Sequence, residues 1–265
     1  MENILGRYKT YIKTFNKYTY LLTLLVKKEL KKKYKDSFMG ILWSFINPLL
    51  NMIILTIVFS TLFDNSIDNF PVYLLSGVLL FSFFTTTTTT SMKSIISSAS
   101  LIKKVYIPKY IFTVSNLISN FIFFIISLLV LIMIMIVTSA DITINIIYAP
   151  IYLLLLMIFT CGVSLILATV TVFFRDIEHL YGVFTTALGY SSAIFYPAEI
   201  IPEKYQLILS LNPFFYFIKG FREAVYYGLP LDQVNILVCS ILAIVSLIIG
   251  ILVFERNQDK FIQYI

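Results

Sequence analysis

The chain has 265 residues, 59% of them hydrophobic and only 13% charged, with a formal net charge of +6. An ordinary soluble domain is about a quarter charged, so this composition excludes a soluble globular enzyme and leaves lipid as the solvent. Six charge-free runs of 19 to 33 residues carry that reading, since about 20 apolar residues cross a bilayer as a helix. The runs are too long and too uniformly apolar for the alternating ~10-residue strands of a β-barrel.

In chain order, residues 1–36 are basic and aromatic and hold ten of the 20 lysines and arginines. Tyr18, Leu21, Leu22, Leu24 and Leu25, set against Lys27, Lys28 and Lys31 to Lys33, predict an amphipathic helix lying in the membrane interface. Asp36 and Ser37 are candidate caps for the next helix. Span one is predicted over 38–63. Its Ser44, Asn47 and Asn51 recur on one face, which should avoid lipid, and Pro48 is placed to kink it. Span two, 70–91, ends in six threonines, Thr85 to Thr90. Their hydroxyls can bond back to the preceding turn, and the run itself is read as sequence drift.

Residues 92–109 form a polar connection. Ile95, Ile96, Leu101 and Ile102 alternate there with Ser and Lys, as in a short amphipathic helix ended by Pro108. A plain connector needs only about five residues. Spans three and four, 110–137 and 146–174, are rich in Ile, Leu and Phe and predict a lipid-facing shell. Span five, 180–197, is short and stops at Tyr196-Pro197. The segment 199–230 holds Pro202, Asn212-Pro213, Gly220 and Gly228 among many aromatics. Its uncharged run Tyr205 to Ile218 has 14 residues, too few to cross. Span six covers 233–254. The expected fold is a single all-α membrane domain, 1–265. It has six transmembrane helices, an N-terminal interface helix and two short re-entrant outer helices before the last span.

The basic excess follows this topology. With the N-terminus in the cytoplasm, six spans put 17 of the 20 cations inside, leave Lys204, Lys219 and Arg222 in the last outer loop, and return the C-terminus to the same side as the N-terminus. The charge is therefore read as topology and contact with anionic lipid rather than nucleic acid. No cleavable signal is expected, because the first 36 residues lack an apolar core.

Catalytic chemistry is absent from the pattern. No GxxxxGK[ST], HExxH, CxxC or GxSxG occurs. The chain is expected to be no enzyme, with no nucleotide site and no bound cofactor of its own. No span carries an acid or base at its centre, which argues against proton-driven transport. Arg175 to His179 is the one polar cluster near an interface. Cys161 and Cys239 fall within spans, so neither a disulfide nor a metal site is expected.

Four segments, in order, resemble the membrane subunit of ABC-2 type exporters, and within it the polysaccharide and teichoic acid export permeases. The first runs from Lys33-Tyr34-Lys35-Asp36-Ser37 into Gly40-Ile41-Leu42-Trp43-Ser44-Phe45-Ile46-Asn47-Pro48. The second is Leu101-Ile102-Lys103-Lys104-Val105-Tyr106-Ile107-Pro108-Lys109, with lysine where the family often has arginine. The third is Phe173-Phe174-Arg175-Asp176-Ile177. The fourth joins Phe195-Tyr196-Pro197, Ile201-Pro202-Glu203-Lys204-Tyr205 and Leu211-Asn212-Pro213.

The resemblance implies two copies of this chain in a bacterial plasma (inner) membrane above two separate P-loop ATPase subunits, which hold the ATP and Mg. Ile95, Ile96, Leu101, Ile102, Lys103, Lys104, Tyr106 and Pro108 are then the candidates for coupling to the ATPase. The cargo implied is a polyprenyl-diphosphate-linked polymer. Trp43, Asn47, Asn51, Tyr190, Phe195, Tyr196 and Tyr216 are candidates for its conduit, between spans one and five. Lys33, Lys35 and Arg175 are candidates to meet the lipid diphosphate. Other readings are an ABC-2 permease for a drug, peptide or small lipid, an ATPase-independent channel or scaffold, and a lipid-modifying membrane enzyme.

Overall fold

The computed structural model describes the backbone of residues 2–33, 35, 37–63 and 67–265, with side chains from 18 onward except 60–63. Asp36, an expected cap, lies outside the described residues. Among them there is helix and no strand.

The basic N-terminal stretch is one helix, α1 (Glu2–Lys33). Leu22, Leu25 and Val26 are buried, while Leu24 turns outward instead of joining them. Ser37 accepts the Gly40 N–H at 3.3 Å, and Gly40, at φ +51, supplies the left-handed turn into the next helix. That helix is α2 (Trp43–Phe63), with Pro48 inside it. Beyond it come α3 (Phe70–Met92), two four-residue helices, α4 (Ser94–Ser97) and α5 (Ala99–Ile102), and the long α6 (Tyr110–Val137). The second half comprises α7 (Ala149–Phe173), α8 (Ile177–Tyr190), α9 (Glu203–Leu211), α10 (Pro213–Val225), α11 (Gln233–Asn257) and α12 (Phe261–Tyr264).

Among the described residues, five helical segments, built on α2, α3, α6, α7 and α11, are long and apolar enough to cross a membrane. The predicted fifth span is different. Helix α8 has 14 residues, a rise of about 21 Å against a hydrocarbon core of about 30 Å. Beyond Tyr190 the chain breaks into turns, with Ala193 in the left-handed region at φ +51. Ser191 contributes to the break by bonding back to the Leu188 carbonyl at 3.1 Å.

Among the described residues the helices close two large cores and a small cluster of Phe70, Tyr73 and Leu74. At the lysine-rich end, Leu22 and Leu25 of α1 meet Ile95, Ile102, Ile111, Phe112, Val172, Phe254 and Phe261. The larger core lies between α3, α6, α7, α10 and α11. The expected shell is only partly right: α7 is central, packing on α3, α6, α10 and α11, while α2 is among the most outward-facing helices. The reason lies in α7's small residues. Gly162, Ser164 and Ala168 let neighbours approach where Ile and Leu would hold them off. A Cβ on Gly162 would overlap the Ser246 carbonyl of α11, and one on Gly250 would lie 2.9 Å from the Gly162 Cα.

Helix α10 runs back along α3. Its first ring, Phe214, packs on Phe81 and Phe84 at 5.3 and 5.2 Å, well along α3. Tyr226, just past its end, meets Tyr73 at 5.4 Å near the start of α3 and donates to the Asp68 carbonyl. Asn212 caps α10 by accepting the Phe214 N–H at 2.9 Å.

Candidate coupling surface and transport path

The polar connection 92–109 divides into anchors and an exposed edge. It is two short helices broken at Ser98 rather than one. Ser97 bonds back to the Ser94 carbonyl at 3.3 Å, a local alternative to continuing the helix. Ile95 and Ile102 point into the lysine-end core, and the Ser94 and Thr113 hydroxyls pair at 3.0 Å to pin the segment to α6. Ile96, Leu101 and Pro108 are half-buried, whereas Lys103, Lys104, Val105 and Tyr106 face out. At the connection's end, Lys109 donates to the Gln258 carbonyl beside the Phe261 ring. Burial lowers the pKa of its ammonium, and Asp259 opposes that shift.

The predicted phosphate-facing cations do not gather. Lys35 joins Lys27, Lys28, Lys31 and Lys32 along an open groove of about 600 Å³. Lys33 turns instead over the Phe123 ring of α6, 4.0 Å from its centroid. Arg175 stands exposed in the turn between α7 and α8.

Of the predicted conduit residues, the structure brings three together. Phe195 stacks on Phe59 of α2 at 5.4 Å and 13°, and its ring lies 6.0 Å from that of Tyr190. Tyr196 donates to the Tyr190 carbonyl, and Tyr73 donates to the Tyr196 carbonyl at 2.9 Å. This aromatic cluster joins the far ends of α2 and α8. Trp43 lies at the opposite, lysine-rich end of α2. Asn47 and Asn51 lie exposed along that helix. Tyr216 stands apart, beside an open depression of about 520 Å³ with Glu199, Gln206, Ser210 and Phe215.

Residues 20–226 match the family model of the ABC-2 type transporter. The chain belongs to that family. It is 29% identical over 198 residues to the O-antigen export system permease protein RfbA of Klebsiella pneumoniae, covering 74% of this chain and 76% of the relative. A protein of the same name from Myxococcus xanthus is 27% identical over 203 residues, covering 76% and 78%. The polysialic acid transport protein KpsM of Escherichia coli is 29% identical over 105 residues, covering 40% and 41%.

Two features of this ABC-2 chain are not apparent in its sequence. The first is Arg222, read only as an outer-loop cation. It is 4% exposed and sits on the apolar face of α10. The spacing of Phe214, Ile218, Phe221 and Val225 around it was the available signal. The second is the threonine run. Tyr181 of α8 donates to the Thr88 hydroxyl at 2.6 Å, and Asn120 of α6 donates to Thr90 at 2.9 Å. The run therefore presents hydroxyls to two neighbouring helices. One turn beyond it, Lys93 pairs with Glu178 at the start of α8.

Proposed function

We propose that this chain is the transmembrane subunit of an ATP-driven exporter that moves a polyprenyl-diphosphate-linked cell-surface polymer, a polysaccharide or teichoic acid, out of the cytoplasm. The observation that carries the reading is the match, across about three quarters of the chain, to permeases named for O-antigen export. The chain acts as a transport subunit rather than an enzyme. ATP and Mg belong to two copies of a separate P-loop ATPase, and this chain binds no cofactor of its own.

The lysine-rich end faces the cytoplasm in this reading, with both termini there. Residues 1–36 lie in the interface, and 92–109 form the coupling loop. Ile95 and Ile102 root that loop, while Lys103, Lys104 and Tyr106 meet the ATPase. The membrane is crossed six times. Chain direction supports the count: α7 ends at the lysine end, and Tyr226 is back beside Asp68 at the other. The segment containing α8 must make that passage, with α9 and α10 as a re-entrant pair within 199–230. The depth of Phe214 along α3 supports the re-entry.

Two copies pair in the inner membrane through the open faces of α2 and α8, where Ile54, Ile57, Val183 and Phe184 are exposed. The conduit runs between those helices, past Trp43, Asn47 and Asn51 to Tyr190, Phe195 and Tyr196. Aromatic faces suit sugar rings, which stack through their apolar C–H surfaces. Tyr216 flanks the exit, and Lys33, Lys35 and Arg175 attract the diphosphate at the cytoplasmic mouth.

The test is to purify the tagged protein from native membranes in mild detergent and identify what accompanies it in equal amounts. A stoichiometric P-loop ATPase, lost in the K103E/K104E variant while membrane insertion persists, is the expected result. An intact permease dimer with no such partner would overturn the proposal in favour of a channel or scaffold.

A further inference from the structure

The guanidinium of Arg222 is a buried charge with an unusual set of partners. Its Nε donates to the Ser76 hydroxyl at 3.2 Å. One terminal nitrogen donates to the Ala193 carbonyl at 2.7 Å, and the other to Tyr73 and Ile194 carbonyls at 3.1 and 2.7 Å. The Tyr73 ring lies beneath it, 3.6 Å away. Among the described residues no carboxylate pairs with it; neighbouring Glu223 pairs with Lys219 at 3.6 Å instead. The charge is thus satisfied by dipoles alone, and two of its four acceptors belong to the turn just after α8.

The same turn is gripped a second time from α10. Asn212, buried at the helix start, donates to the Ser191 and Ser192 hydroxyls at 3.0 and 2.9 Å. Helix α10 therefore brackets residues 191–194, with Asn212 at one end and Arg222 near the other. Immediately after that bracket come Phe195 and Tyr196. If the turn moved away, one terminal nitrogen would lose its acceptor and the other would keep only Tyr73. A buried cation tolerates that poorly.

We propose that Arg222 is the positioning residue of the exit. Through it, α10 holds the 191–196 turn, and with it Phe195 and Tyr196, against α3, and the exit opens only when that turn leaves the guanidinium. The inference rests on the conduit reading for its meaning but not for its test. Lysine has one ammonium where arginine has a planar fork, so R222K keeps the charge and cannot hold all four acceptors. G77A attacks the same contact from α3, because a Cβ there would sit 2.8 Å from the guanidinium and 3.3 Å from Ile194.

The experiment is hydrogen exchange by mass spectrometry on the purified permease, with its ATPase where one accompanies it. In R222K, exchange of residues 189–197 is expected to rise on the order of ten-fold, with α7 and α11 unchanged. G77A gives the same local rise, and decides the matter alone if R222K does not fold. Unchanged exchange at 189–197, or an equal rise throughout the protein, would overturn the proposal and make Arg222 an ordinary packing residue. Failure to find an ATPase would sink the exporter reading while leaving this local result standing.

Discussion

Helices α7 and α11 meet nearly backbone to backbone, whereas α8 buries only Tyr181 and Gly189 among its own residues. The first pair is apolar and continuous. Gly162 and Gly250 interlock, Ala243 and Cys239 are buried, and Ser246 reaches the Phe159 carbonyl at 3.3 Å. In lipid there is little hydrophobic drive between helices, so such close packing is what holds them together. Helix α8 is held differently, by point contacts near its two ends. Lys93–Glu178 and Tyr181–Thr88 tie its start to α3, and Asn212 and Arg222 fasten the turn at its finish. Continuous packing makes a body that moves as one piece. Polar ties at separate points can break one at a time, which suits a helix beside the proposed conduit.

The largest expected effect comes from exchanging one atom group between the two regions. G162A drives a methyl into the Ser246 backbone and should lower stability by about 2 kcal/mol or more. G182A on α8 meets nothing within 4 Å and should raise it by about 0.5–1 kcal/mol through helix propensity alone. Thermal melts of the detergent-solubilised variants check both, and equal melts would dissolve the contrast.

A smaller effect is expected where α11 begins. Asp232 caps it, accepting the Val234 and Asn235 N–H groups at 2.9 and 3.3 Å. The Asn235 backbone N–H, with help from the Val234 N–H and Lys219, holds this carboxyl below the usual carboxylate range. D232A should therefore cost about 1 kcal/mol, and D232N, which keeps the accepting oxygen, far less. The charged contribution is complete above the ordinary carboxylate pKa of about 3.9. It is lost as pH falls through the lowered folded-state value, so acid melts of wild type and D232N should converge.

At α8 the expected effects shift from stability to the proposed export. Y181F removes the Thr88 hydrogen bond and should cost about 0.5–1 kcal/mol, while slowing polymer export measured at the cell surface. The exposed Lys93–Glu178 pair is worth less than about 1 kcal/mol, so neither K93E nor E178K should move the melt. Each alone should reduce export per ATP hydrolysed, and the exchanged pair K93E/E178K should restore it. No recovery in the double variant would remove this tie from any role in export.

The sequence made the spans visible wherever charges bracket an apolar run: α3, α6 and α11 begin and end close to those brackets, and α7 ends at one. The same rule overextended α8. Leu180 to Ala198 is uncharged, but Gly189 and the two serines after it end the helix early, and charge alone does not report that. The resemblance, through the aromatics of its matching segments, led to Tyr190, Phe195 and Tyr196, which cluster. It led equally to Tyr216, which stands apart, because a one-dimensional pattern does not record which rings share a space. Arg222 was missed for the opposite reason. A cation in an apparently outer loop reads as solvated until the helix around it is seen to bury that face.

Chain order gives the lysine-end core a consequence for biosynthesis. Leu22 and Leu25 leave the ribosome early, Ile95 and Ile102 much later, and Phe254 and Phe261 later still, yet all share one packed cluster. The root of residues 92–109 is therefore incomplete until residue 261 has been made. A nascent chain stalled before that point would present its loop without the floor beneath it. The support beneath residues 92–109 is complete only after α11 has been synthesised, which separates insertion of the earlier helices from completion of this core in time.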